Sequence, residues 1–159
     1  MKNPYAEYLG GRDPITVMTQ TPEELRRLAT VLASRLDQAP VPGKWSPREI
    51  LCHLADTEIA YAFRLRQAVA ETHHVIQPFD QARWAASYAA YDTNSALVTF
   101  AALRAWDVAF ITPLSSDTKK TRLWHPERGE MSLQVMIEMM AGHDLNHVRQ
   151  LEAMTGLMI

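Results

Sequence analysis

The sequence predicts an all-α fold, a four-helix bundle. Three observations carry that reading. Four long stretches place apolar residues at steps of three and four, the period of a helix with one buried side. Side chains able to cap a helix start stand ahead of these stretches. No stretch shows a convincing strand pattern. Helices with one apolar side must bury it against one another, and four of them make a bundle.

Residues 1–20 read as an irregular lead-in, with Gly10-Gly11 and Asp13-Pro14 as turn signals. Thr21 then caps the first helix, Pro22 takes its first position, and Glu24 completes a capping box. Leu25, Leu28, Leu32 and Leu36 mark its apolar side, and Pro40, Pro42 and Gly43 end it. Ser46-Pro-Arg-Glu49 repeats the start signal for a long second helix, to about Glu71. Its apolar side holds Ile50, Leu54, Tyr61, Leu65 and Val69, with His53 at the border. A connection containing Pro78 follows. The third segment runs from about Asp80 to Ile111. Trp84, Tyr88 and Tyr91 form an aromatic first part, and Asp92-Thr-Asn-Ser95 marks a break with a new cap. Leu97, Phe100, Leu103 and Phe110 share one side after the break, and Asp107 interrupts that stripe. Residues 113–131 read as a loop carrying Trp124, His125, Pro126 and Gly129. Ser132 caps the last helix, which ends at Thr155-Gly156.

At 159 residues the chain suits one domain, residues 1–159, with room for a sizeable core. A 47% hydrophobic and 21% charged composition is that of an ordinary globular protein. Net charge is −2, and no basic patch argues for nucleic acid. No apolar stretch approaches the ~20 residues of a membrane span. The first residues lack the apolar core of a secretion signal. Cys52 is alone, so no disulfide framework is expected, and the expected location is the cytoplasm.

The chemistry gathers on the last helix. Leu133, Met136, Met140, His143, His147, Gln150 and Met154 follow gaps of three and four, the repeat of a buried seam. Two imidazoles therefore sit mid-seam. Burying unpaired polar rings is costly, and a metal ion offsets that cost because neutral imidazole is a good ligand. A core pair hydrogen-bonded to Gln150 or Asp144 is the other reading of the same spacing. A third histidine decides between them, and His53 meets the pair if the two helices lie at one level.

Three segments together carry a resemblance. Lys44-Trp-Ser-Pro-Arg-Glu-Ile-Leu-Cys-His53-Leu-Ala-Asp-Thr-Glu58, Trp124-His-Pro-Glu-Arg-Gly129 and His143-Asp-x-x-His147-x-x-Gln150 resemble the DinB/YfiT-like superfamily, over about residues 21–155. The resemblance implies a four-helix bundle with an unusual order of helix directions. It implies a divalent metal held by His53, His143 and His147, and a homodimer. Characterised relatives include thiol-dependent S-transferases, a mycothiol-dependent isomerase and proteins described as metal hydrolases. The superfamily thus fixes the site better than the substrate.

Three histidines leave a metal position open, the layout of a catalytic site. A metal there lowers the pKa of a bound water or thiol. Zinc, nickel, iron and manganese all accept such ligands. The expected function is a metal-dependent enzyme acting on a small molecule, a thiol-dependent S-transferase or a hydrolase, with a low-molecular-weight thiol as possible co-substrate. The alternative is a non-catalytic, metal-stabilised bundle or a ligand-binding protein.

Asp144, beside the first histidine of the pair, is a candidate base or a partner for a histidine ring. Asp56, one turn after His53, is a candidate additional ligand or ring partner. Gln150 is placed to orient a ring or a bound water. Arg64, Arg66 and Arg104 are candidates for an acidic substrate, against the blander reading of solvated side chains. His125 is a candidate border residue, while His73 and His74 read as exposed. Cys52 and the methionines of the last helix read as core. Trp84, Tyr88 and Tyr91 fall on one helical face and mark an expected dimer contact, against a role in covering the bundle's own end.

Overall fold

The computed structural model describes residues 3–156. Seven helices and one hairpin occur there: α1 Ala6–Leu9, α2 Pro14–Val31, α3 Pro47–Ala70, α4 Gln81–Ala85, α5 Thr93–Ile111, α6 Ser116–Lys119, β1 Arg122–His125, β2 Gly129–Ser132 and α7 Leu133–Met154. The four long helices, α2, α3, α5 and α7, form the bundle.

Three long helices start where the cap signals place them. Ser46 and Glu49 close a reciprocal capping box on α3. Asp92 accepts from the Ser95 amide at 2.9 Å, and Ser132 from the Val135 amide at 3.2 Å. The first helix differs from its expected start. Asp13 is the cap, accepting from the Thr16 amide at 2.7 Å, and Pro14 takes the first position. The Asp13-Pro14 pair is thus a helix start, and Thr21 lies inside α2 with its hydroxyl on the Val17 carbonyl. The earlier start is favoured because it brings Val17 and Met18 into the core. Pro22 falls inside the helix and has no N–H for the Met18 carbonyl. Arg104 donates to that carbonyl instead, at 3.4 Å.

Contacts fix the helix directions. Arg104 of α5 meets Glu58 of α3, and Asp107 meets Arg66, so α3 and α5 run parallel. Val17 and Met18 pack with the first half of α7, and Leu25 to Leu32 pack with Val148 and Leu151, so α2 and α7 are also parallel. The two pairs are antiparallel to each other, with His53 beside His143 and Met18 beside Arg104. A parallel α3 and α5 require a long return, which residues 71–92 supply.

That return breaks the expected aromatic helix. α4 ends at Ala85, and a 3₁₀ turn spans residues 88–90. Arg48 donates to the carbonyls of Tyr88 and Tyr91 at 2.6 and 3.2 Å, taking acceptors that a continued helix needs. Trp84, Tyr88 and Tyr91 therefore share no helical face. Tyr88 is buried, with its ring 6.1 Å from that of Trp45, whereas Tyr91 is exposed.

The expected loop at 113–131 holds α6 and the β1–β2 hairpin, with Leu123 opposite Met131 and Trp124 opposite Glu130. Leu123 and His125 point inward while Arg122 and Trp124 point out. The return strand adds to this hairpin: Trp124 donates to the His74 carbonyl at 3.0 Å, and Ile76 to the Trp124 carbonyl at 2.8 Å. At the other end of the chain, α1 lies across α7. Gly142 permits this, because a Cβ there would stand 2.6 Å from the Tyr5 carbonyl oxygen.

The core is two apolar clusters. One gathers Met18, Tyr61, Leu65, Met136 and Met140; the other gathers Leu28, Ile50, Leu54, Phe100 and Leu151. Between them lies a buried polar layer with His53, Glu58, Arg104, His143, Asp144 and His147.

Candidate metal centre

His53 of α3 and the His143–His147 pair of α7 face each other across the polar layer. His143 Nε2 lies 3.1 Å from His53 Nε2 and 3.1 Å from His147 Nε2. One ligand atom from each ring falls within 4.8 Å of the others, and all three residues are buried. At 3.1 Å two ring nitrogens share a hydrogen bond when one of them carries the proton, and when all three Nε2 atoms are bare their lone pairs converge as a ligand set. A tetrahedral ion with bonds of ~2.0–2.1 Å needs nitrogens about 3.3 Å apart, and cis positions of an octahedral ion about 3.0 Å. The two 3.1 Å spacings about His143 are compatible with a shared metal ion.

The surroundings prepare the rings. Burial holds His53 at about 3 and His147 at about 4, so both are neutral near pH 7 and ready to bind metal. Burial and the neighbouring rings also lower His143. His147 Nδ1 donates to Gln150 Oε1 at 3.2 Å, which leaves the Nε2 lone pair facing the other rings. Thr57 Oγ1 stands 3.4 Å from His53 Nδ1. The Trp45 ring lies tilted by 41° against His53 with centres 4.8 Å apart, and Tyr5 meets His143 edge-on at 5.4 Å.

Behind the histidines is an ion cluster. Arg104, 2% exposed, holds Glu58 with two bonds of 2.8 and 2.7 Å and also pairs with Asp144. Burial raises the Glu58 carboxyl, while Arg104 acts in the opposite sense. Because Arg104 sits on α5, Glu58 on α3 and Asp144 on α7, the cluster ties together the helices that carry the triad.

In front of them is a cavity of about 180 Å³, lined by His53 and His143 and walled by Tyr5, Tyr61, Arg64, Phe79, His125 and Arg128. The hairpin and the return strand supply its outer wall.

The sequence pattern of the DinB superfamily matches residues 18–151. The chain belongs to the DinB superfamily. It is 29% identical over 124 residues to "Putative metal-dependent hydrolase OB0782" of Oceanobacillus iheyensis, covering 76% of this chain and 70% of that protein. It is 23% identical over 148 residues to "Putative metal-dependent hydrolase YfiT" of Bacillus subtilis, covering 91% and 83%. The solved structure of that YfiT superposes with a TM-score of 0.80 at 21% identity, over 98% of this chain and 90% of that one. It is described as having an unusual four-helix bundle topology. The likeness shows the fold, and the two parallel helix pairs are its form in this chain.

Within this DinB-superfamily bundle, the other expected site residues are distributed unevenly. Asp144 turns from the rings to Arg104. Asp56 faces Tyr88 and lines a separate surface hollow with Tyr91 and Thr99. Gln150 orients His147, as its spacing suggested. Arg104 is fully buried, and Arg66 is partly exposed and pairs with Asp107 at 2.7 Å. Asp107 does not interrupt an apolar face; it belongs to a buried face that includes Arg104. His125 borders the cavity. His74 is buried, with Nδ1 2.7 Å from Glu71. Cys52, Met136 and Met140 are core. Sequence reasoning missed Tyr5 and Trp45. Tyr5 lay in the supposed lead-in, and the only signal for Trp45 was its place just before the Ser46 cap.

Proposed function

We propose that this chain is a metal-dependent enzyme acting on a small molecule, as a thiol-dependent S-transferase or a hydrolase. The observation that carries the reading is the convergence of three neutral Nε2 atoms beside a walled cavity. His53, His143 and His147 hold a divalent ion. When bound, zinc, nickel, iron or manganese activates a water or a thiol at the position that three protein ligands leave open.

The chain's own residues do the rest. Gln150 keeps the His147 ring turned inward, and Thr57 packs 3.4 Å from both nitrogens of His53. Tyr5 walls the cavity beside His143, and Trp45 covers the His53 ring. His125 Nδ1 accepts from the Glu127 amide at 3.2 Å, so its N–H sits on Nε2 and can give a hydrogen bond to a substrate oxygen. Asp144 keeps the His143 turn anchored to Arg104. It has no path to the cavity, so we assign it positioning rather than base chemistry.

Metal-loaded and metal-stripped protein, screened with thiols plus epoxides or halo-compounds and separately with small esters and amides, tests the reading. A product that needs the metal supports it and names the reaction. Absence of any metal-dependent product across both panels argues for a structural metal.

The same reading includes a homodimer. A dimer surface is offered not by the aromatic trio but by the outward faces of α3 and α5, which expose Ile59, Phe63, Val98 and Trp106. Large exposed apolar side chains on neighbouring helices suit a partner surface.

A further inference from the structure

Arg64 is an unusual arginine in this chain. It lies on α3 eleven residues after His53, about 16 Å along the axis and about 20° round it, so both project from one side of the helix. Helical side chains lean toward the N-terminus, which carries Arg64 back toward the triad. It lines the same cavity as His53 and His143. Only 9% of it is exposed. Among the described residues, its guanidinium has no carboxylate within ion-pair distance.

Its protein contacts position it without neutralising it. Nη2 donates to the Gln77 carbonyl at 2.7 Å. The guanidinium also lies 5.7 Å from the Tyr61 ring centre and 5.4 Å from that of Phe79. The other arginines that the fold encloses each have an acid: Arg104 has Glu58 and Asp144, Arg66 has Asp107, and Arg48 has Asp37. A buried charge without a counter-ion is costly, and burial lowers the Arg64 pKa accordingly. Arg128 lines the same cavity and adds a second positive charge that acts on both Arg64 and His125. Glu127, also at the rim and exposed, acts on Arg64 in the opposite sense to Arg128 but does not come within ion-pair distance of it. Most of the five guanidinium N–H donors are thus free for a planar oxyanion, which a guanidinium binds in a two-pronged fork.

We propose that Arg64 determines specificity in this cavity by holding a carboxylate of an elongated small substrate whose other end reaches the histidine triad. Arg128 adds a second contact at the rim. The proposal rests on the reading of the triad as a metal centre and narrows its substrates to acidic ones. The blander role, a strut that ties α3 to the Gln77 carbonyl, predicts no preference for charge.

Adipic monohydroxamate and its terminal amide separate the two roles. Both carry a metal-binding hydroxamate, and only the first carries a far carboxylate. Binding is read by ligand-observed NMR on zinc-loaded and zinc-stripped protein. The zinc-loaded protein is expected to prefer the carboxylate about ten-fold, as a charged fork should. In Arg64→Gln the preference falls to about one while the amide binds as before. Arg64→Lys keeps the charge without the fork and retains part of the preference, and it remains the test if the Gln variant does not fold. Equal binding of the two probes to the unaltered protein overturns the proposal. So does an Arg64→Gln variant that keeps the preference or loses both probes together. Stripping zinc should weaken both probes by a common factor. If it weakens neither while the carboxylate preference stands, the metal reading fails and the Arg64 assignment survives.

Discussion

At His147 a single hydrogen bond sets which nitrogen faces the other rings. Gln150 Oε1 accepts from Nδ1, so Nε2 keeps its lone pair for the centre. Such outer contacts are worth about 10–100-fold in metal affinity. Gln150→Leu is therefore expected to weaken zinc binding by about that factor while leaving the helical content intact, read by chelator competition. The ring environments also predict an acid sensitivity. Metal-stripped protein holds His53 at about 3 and His147 at about 4, whereas unfolded histidine titrates near 6.5. Below that value the unfolded chain takes up protons that the folded chain refuses. The contribution is fully present above pH 6.5 and is lost as pH falls toward 3–4. Each such histidine costs about 1.4 kcal/mol per pH unit in that window. Urea unfolding of stripped protein at pH 7.5 and 5 should show the drop, and equal midpoints would contradict it.

At the level of elements, one contact holds the triad's helices in register and a second seats α1 against α7. The first is Arg104, which joins α5 to Glu58 on α3, to Asp144 on α7 and to the carbonyl that Pro22 leaves free on α2. Arg104→Met strands two buried carboxylates, and breaking a buried pair in this way costs about 3–5 kcal/mol. Thermal unfolding should show that loss, and an unchanged midpoint would mean the cluster contributes little. The second is the α1–α7 crossing at Gly142. A Cβ there meets the Tyr5 Cβ at 2.6 Å, so Gly142→Ala must push α1 aside. Overpacking of this kind costs about 1–3 kcal/mol, and it moves Tyr5 away from His143. Near-ultraviolet circular dichroism reports that movement.

The same elements show why some features were legible from sequence. α3, α5 and α7 carry one clear cap each, and the structure keeps all three. α2 offers two cap-proline pairs, Asp13-Pro14 and Thr21-Pro22, and only the packing of Val17 and Met18 decides between them. The hairpin strands are four residues each, too short for alternation to register. His143 and His147 stood out because they interrupt an apolar seam. Arg64 could be named only together with Arg66 and Arg104, because its missing counter-ion is a property of the assembled cavity.

On the scale of the whole molecule, the parallel pairing of α3 with α5 turns the return segment into part of the site. Residues 74–76 bind the hairpin edge, and together they wall the cavity in front of the triad. The opposite face presents Ile59, Phe63, Val98 and Trp106 to solvent. If a second copy covers them, light scattering should give a mass near twice the 18.0 kDa of one chain. Trp106→Glu should then return it to the single-chain value, and a single-chain mass for the unaltered protein would contradict the dimer.

Three histidines from two antiparallel helices are placed to hold one divalent ion at the bundle's polar layer. Mass-spectrometric metal analysis of protein purified without a histidine tag tests it most directly. The account predicts a single divalent ion per chain, lost in each of His53→Ala, His143→Ala and His147→Ala while the fold persists. A metal content unchanged by all three substitutions would contradict it.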